Sequence, residues 1–153
     1  MKEAENKIDE LRSKRITMTE DKLGEKFKPI EHQQNLLDTY AERALSEDRF
    51  KDYEMYMQQR IDSMREEQTA TQSAISTWKV ELAKLEQDSD DWRTVRDKIW
   101  ELEEKAAELD NELVQKQLEL NEQRLSQIAK VLQQNSQTAT HNINIASVYG
   151  NAY

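Results

Sequence analysis

Apolar side chains recur at alternating steps of four and three over the longest stretch of the chain, Tyr53 to Leu132. In its first half the positions are Met57, Ile61, Met64, Gln68, Thr71, Ile75, Trp78, Leu82 and Leu85. In its second half they are Trp92, Val95, Ile99, Leu102, Ala106, Leu109, Leu113, Lys116 and Leu120. A heptad stripe of this kind buries one narrow face of a helix against a partner helix. Between the halves stands Asp88-Ser89-Asp90-Asp91, whose short oxygen-bearing side chains accept from the free N–H groups of a helix start. The pattern predicts two helices, near 47–86 and 91–134, joined by a connection short enough to make them antiparallel neighbours. Folding there places Leu85 near Trp92, Trp78 near Ile99 and Thr71 near Ala106, along helices of roughly 60 Å at about 1.5 Å per residue. Gln68, opposite Leu109, and Lys116, near Ile61, interrupt the apolar line. Either they fix its register or they lie at its edge with their tips in water.

Upstream, Ala4, Ile8, Leu11, Arg15 and Met18 keep the same rhythm and predict a first helix over about residues 2–21. Gly24 and Pro29 mark its exit, one by tolerating left-handed dihedrals and the other by disfavouring helix in the residue before it. Pro29 suits the first turn of a second helix, with Ile30, Gln33, Leu37, Tyr40 and Ala44 as its inward face. At Ser46 two outcomes stand open: the serine caps a new helix whose first turn is acidic, or the helix runs straight through. The last helix carries a second apolar line, Val114, Leu118, Leu125 and Leu132, offset from the first. Two stripes on one helix imply more than one neighbour. That neighbour is the helix near 30–44, in an intrachain three-helix bundle at the open end of the hairpin, or another copy of the chain. Beyond Gln133 the sequence turns polar and uncharged. Helix should fade there, and although Ile143 and Ile145 alternate with Asn142 and Asn144 as in a short strand, a linker or tail is the favoured reading. The organisation read this way is an N-terminal helix and turn at 1–28, a helical bundle with the long hairpin at 29–134, and a polar tail or linker at 135–153.

Composition narrows the class. With 36% hydrophobic and 35% charged residues and a mean hydropathy of -1.02, the chain cannot fill a thick globular core, but it suits long helices that each bury one stripe. Two glycines and one proline leave little material for the turns of a sheet protein. The predicted fold is therefore all-α: a long antiparallel coiled-coil helical hairpin with shorter N-terminal helices packing at one end. The net charge of -9 argues against nucleic acid, which requires clustered Lys and Arg to replace counterions. Absence of cysteine excludes disulfides and thiolate metal sites. No apolar run approaches the roughly 20 residues that span a bilayer, and the N-terminus lacks the apolar core of a signal peptide.

Residues placed for chemistry are not apparent. Glu101, Glu103, Glu104 and Glu108 lie among lysines on what should be a wet face, without the apolar surroundings that push paired carboxyl pKa values apart. His32 and His141 are remote from each other, so neither a histidine metal site nor a triad is expected. No glycine-rich phosphate loop is present. The expectation is a protein without catalytic residues, cofactor, metal or small-molecule substrate. Its candidate interaction residues are Trp100, which falls outside the stripe, and Val114, Leu118, Leu125 and Leu132. Tryptophan is favoured in interface hot spots, so Trp100 marks either an intermolecular contact or a flank on the partner helix.

Two segments carry a family resemblance: NLLDTYAERALSEDRFKDYEMYMQQRIDSM and ISTWKVELAKLEQDSDDWRTVRDKIWELEEKAAELDNEL. Together they resemble the coiled-coil repeat units of tail tape measure proteins of long-tailed bacteriophages. In those units a segment with spaced tyrosines and an Asp-Tyr step leads into a helix, a loop of the Asp-Ser-x-x-Trp or Tyr kind, and a second helix. Asp52-Tyr53 and Asp88-Ser89-Asp90-Asp91-Trp92 carry the likeness, which covers roughly residues 30 to 132. It implies a structural role in the tail tube lumen of a virion, with self-association or other tail and assembly proteins as partners. Even as one continuous helix, the chain would reach only about 230 Å at about 1.5 Å per residue. It would then be a fragment or a small relative of a tape measure protein. The competing expectation is a cytoplasmic coiled-coil scaffold, adaptor or chaperone that offers its second stripe to a helical partner.

Overall fold

Three helices account for nearly all of the chain that the structure describes: α1 (Lys2–Ser46), α2 (Phe50–Ala83) and α3 (Asp90–Gly150). A computed structural model describes residues 2–150, and side chains through residue 136. No strand occurs among the described residues, so the all-α class stands, and the helix expected to fade near Gln133 continues to Gly150. The alternation around Ile143 and Ile145 is therefore carried on helical backbone. Contacts group the chain into two units, Met1–Lys116 and Gln117–Tyr153.

The N-terminal part departs most from the sequence reading. Instead of two short helices separated at Gly24 and Pro29, α1 is one helix of 45 residues with both inside it. The reason lies in a stripe that crosses them without losing step. Ile16, Leu23, Phe27, Ile30, Gln34, Leu37, Ala41 and Ala44 are all buried, and their burial against α2 outweighs two local breakers. Ile8, Leu11 and Met18 are exposed; they have the right rhythm and no partner. Gly24 keeps ordinary helical dihedrals, and a Cβ built on it would meet nothing within 4 Å. A Gly24→Ala substitution is expected to raise stability by about 0.5–1 kcal/mol, read as a higher urea midpoint with unchanged slope. A lower midpoint would show that the glycine is needed for close approach.

At Ser46 the helix does not run through. The N–H of Arg49 donates to the Ala44 carbonyl at 2.8 Å and that of Asp48 to the Leu45 carbonyl at 3.2 Å, with Asp48 left-handed at φ 58. That pairing is a Schellman stop, with aspartate in the position glycine usually takes. Nor does Ser46 cap the next helix, because its hydroxyl donates back to the Arg43 carbonyl at 2.8 Å. The second turn follows the sequence more closely. After Asp88 (φ 65), Ser89 Oγ accepts from the N–H of Trp92 at 3.2 Å, and Asp90 and Asp91 fill the acidic first turn of α3.

Within Met1–Lys116, α2 is buried on two faces. One carries Met57, Ile61, Met64, Thr71, Ile75 and Trp78, as the heptad stripe predicts; the other carries Tyr53, Ser63, Glu67 and Ala74. Packing of α1 on α2 is pinned by Arg15–Glu81 at 2.6 Å and Arg60–Asp38 at 2.9 Å, so residue numbers rise along one helix as they fall along the other. Against α3, Gln68 Nε2 donates to Asp110 Oδ1 at 2.6 Å, and Lys98 Nζ lies 5.7 Å from the Trp78 ring centroid. Both contacts fall one residue from the predicted pairings. Val95, Ile99 and Leu109 are buried, and Trp92, Leu102, Ala106, Leu113 and Lys116 are half-buried, so this part of the α3 stripe is used as read. The largest apolar cluster joins all three helices through Ile16, Leu23, Phe27, Ala74, Ile75, Trp78, Val95 and Ile99.

Candidate interaction surfaces

Polar side chains tie α1 to α3 along their facing edges. Lys98 reaches Glu20 at 2.8 Å, Lys105 reaches Glu31 at 4.0 Å, and Lys116 reaches Asp38 at 3.7 Å. Partly exposed pairs like these contribute little each, about 0–1 kcal/mol. Their spacing nevertheless fixes the parallel register of α1 on α3, because a shift of one turn would break all three. Lys116, ambiguous in the sequence, thus serves register from a half-buried position through Asp38, which also accepts from Arg60 Nε at 2.9 Å. Gln68 has a similar role through Asp110.

Between these edges lies a groove of about 250 Å³ with Leu23, Phe27, Ala74, Trp78 and Leu102 on its floor and Lys98, Lys105, Glu20 and Glu101 around it. It falls below the range of about 300–1,000 Å³ typical of small-molecule sites. Its cations are also engaged: Lys105 Nζ sits 3.8 Å from the Phe27 ring centroid, and Lys98 bridges Trp78 and Glu20. These are contacts that hold aromatic faces and carboxylates of the fold together. Glu101 is an exposed member of this rim, and Glu103, Glu104 and Glu108 are exposed as well.

Among the described residues one carboxylate side chain is buried. Glu67 is 5% exposed, and Gln34 Nε2 donates to its Oε2 at 3.5 Å, a long bond. Burial pushes its carboxyl above the usual range, opposed by Lys105, by the Gln34 bond and by Arg60, and reinforced by Glu31. Nearby, Arg60 Nη1 and Ser63 Oγ are buried without a hydrogen-bond partner. A carboxyl that holds its proton more tightly when folded stabilises the fold while protonated, and that contribution is lost as pH rises through its raised value. Burial therefore makes the carboxylate form of Glu67 costly to the fold above the ordinary carboxylate range. Glu67→Gln is expected to raise stability by on the order of 1 kcal/mol at pH 7, with the gain closing as pH falls below the ordinary carboxylate range. Paired urea titrations at pH 7 and pH 3.5 test this; a gain independent of pH would reject burial of charge as its cause. Among the described residues no group of three His, Cys, Asp or Glu is placed to hold a metal ion.

The remaining surfaces lie on α3. Trp100 is 53% exposed, and its ring carries the Arg96 guanidinium at 4.5 Å. Trp92, one turn before Arg96, takes the same guanidinium at 5.5 Å. The sequence reading offered Trp100 as an intermolecular contact or a flank on the partner helix; the structure gives its ring a contact on its own helix. Val114, Leu118, Leu125 and Leu132, the second apolar line, are all exposed. The helix that packs on α2 from the other side is α1, and it uses the second face of α2 instead. Sequence reasoning missed Ile128 and Val131, which are exposed beside that line. Ile128 was detectable, since it stands three residues after Leu125 and four before Leu132.

No helix among the described residues is long and apolar enough to cross a membrane. No protein-family model, no curated protein and no solved structure matches this chain.

Proposed function

We propose that this chain is a structural coiled-coil protein that acts by helical packing, with α2 and the first half of α3 as an antiparallel coiled-coil hairpin braced along its length by α1. The observation that carries this reading is the use of polar side chains. Gln68, Lys98 and Lys105 bridge helices at separate register positions, and Arg60 and Lys116 share Asp38 of α1 at another, so the bridges are spread along the helices and are not gathered into one site. A scaffold needs register; a catalyst needs convergence. Taken with the resemblance over residues 30–132, the role is that of a tape-measure-like segment in phage tail assembly.

The test is an in-frame deletion of this segment in the phage that carries it, with tail lengths measured by electron microscopy. A ruler segment shortens the tail, by at most about 230 Å if it works as one extended helix and by less if the bundle stays folded. Tails of unchanged length would reject the ruler role. The exposed line at Leu118, Leu125 and Leu132 favours one second reading, a coiled-coil scaffold, adaptor or chaperone that binds a helical partner there. In that case deletion abolishes assembly of a partner without altering any length.

A further inference from the structure

We propose that α3 beyond Gln117 is a self-assembly segment through which more than two copies of this chain join as a parallel, in-register coiled coil. This rests on the structural reading above and names the partner.

Leu118, Asn121, Leu125, Ile128 and Leu132 follow one another at steps of three and four. The four apolar members are 49%, 65%, 54% and 62% exposed, and Asn121 is exposed too. A soluble helix that displays an apolar heptad line in this way is incomplete without another helix. The step of three follows each leucine, so Leu118, Leu125 and Leu132 occupy the a positions, with Asn121 and Ile128 at d. Leucine at a with isoleucine at d favours three or four strands over two. Ala129 and Val131 flank the line at e and g, where larger coiled coils bury side chains that a dimer leaves wet.

Two features point to copies of this chain as the occupant. Asn121 interrupts the line at one level. A side-chain amide both donates and accepts, so its natural complement is the same amide on an identical strand in register. In an antiparallel or shifted pairing it would generally face leucine or isoleucine. Its present bond, from Arg124 Nη1 at 3.5 Å, is weak enough to exchange. The second feature is charge: the chain carries -9, yet in 117–153 Arg124 and Lys130 offset Glu119 and Glu122. The segment neither repels its own copies nor offers a field to a charged partner.

Sedimentation equilibrium of the full chain over a concentration series, with far-UV circular dichroism, is the experiment. The expected particle is three or four times 18.1 kDa and highly helical. Leu125→Asp with Ile128→Asp should move the association midpoint upward by at least about tenfold in concentration, with helicity retained because both positions are exposed. Direction is tested separately in a chain that has no cysteine: oxidation of Leu132→Cys, at a core a position where identical residues meet only in parallel register, should link copies covalently. A monomer or dimer at every concentration overturns the proposal. So does association that survives the double substitution, or failure of Leu132→Cys to cross-link. A monomeric chain whose deletion still shortens tails would reject self-assembly and leave the ruler role standing; an oligomer whose deletion leaves tails unchanged would do the reverse.

Discussion

Trp78→Ala is expected to cost about 3–5 kcal/mol of folding free energy, a large part of the roughly 5–15 kcal/mol that holds a typical domain together. The ring is 2% exposed, belongs to the cluster that joins all three helices, and lies under the Lys98 ammonium. Removing it opens a cavity at the junction where Leu23 and Phe27 of α1 meet Val95 and Ile99 of α3. The helices around it are long and carry their own rows of contacts, so collapse into the hole is limited. Urea denaturation followed by far-UV circular dichroism measures the loss. Trp100→Ala is the control: at an exposed position, with only Arg96 stacked on it, the change should stay within about 0.5 kcal/mol. Equal effects at the two positions would mean that the core is not where the structure places it.

Pro29→Ala should act in the opposite direction. Proline inside a helix removes one backbone N–H and sets its ring against the carbonyl four residues earlier, here Glu25, at about 3 kcal/mol relative to alanine. Pro29 lies within α1 on its exposed side, where water can reach that carbonyl and where alanine disturbs no packing. The expected gain is up to about 3 kcal/mol. At about 2–4 °C per kcal/mol for a chain of this size, calorimetry should show it plainly. An unchanged melting temperature would mean that the helix is already broken near residue 29, in two pieces as the local signals suggest.

That contrast shows where the sequence was readable. In α3 the stripe from Trp92 to Lys116 was legible because long-range packing and local propensity agree there. The turn at Asp88-Ser89 was legible because its capping chemistry is local. In α1 the two signals conflict. Gly24 and Pro29 are strong punctuation, and Gln34, with the polar step at Thr19 and Glu20 between Ile16 and Leu23, disguises a stripe that runs from Ile16 to Ala44. Ile8, Leu11 and Met18 keep the same rhythm around Arg15 and bury nothing, because period reports only the capacity to pack. The second face of α2 was invisible for a different reason. It is built from Tyr53, Ser63, Glu67 and Ala74, residues whose burial depends on what α1 brings to them. Of the candidate surface residues, Val114, Leu118, Leu125 and Leu132 could be found by spacing. The bridges from Lys98, Lys105 and Lys116 could not, since their acidic partners lie on a helix far away in sequence.

The double-sided burial of α2 also bears on how the bundle breathes. A helix covered on two faces opens only when both neighbours leave, so backbone amides near Met64, Thr71 and Trp78 should exchange with deuterium only through global unfolding. The first turns of α1, from Lys2 to Arg15, bury no side chain; their amides should exchange by fraying, orders of magnitude faster. Along one continuous helix, protection should therefore rise from almost nothing to the full stability of the fold, with the climb beginning at Ile16.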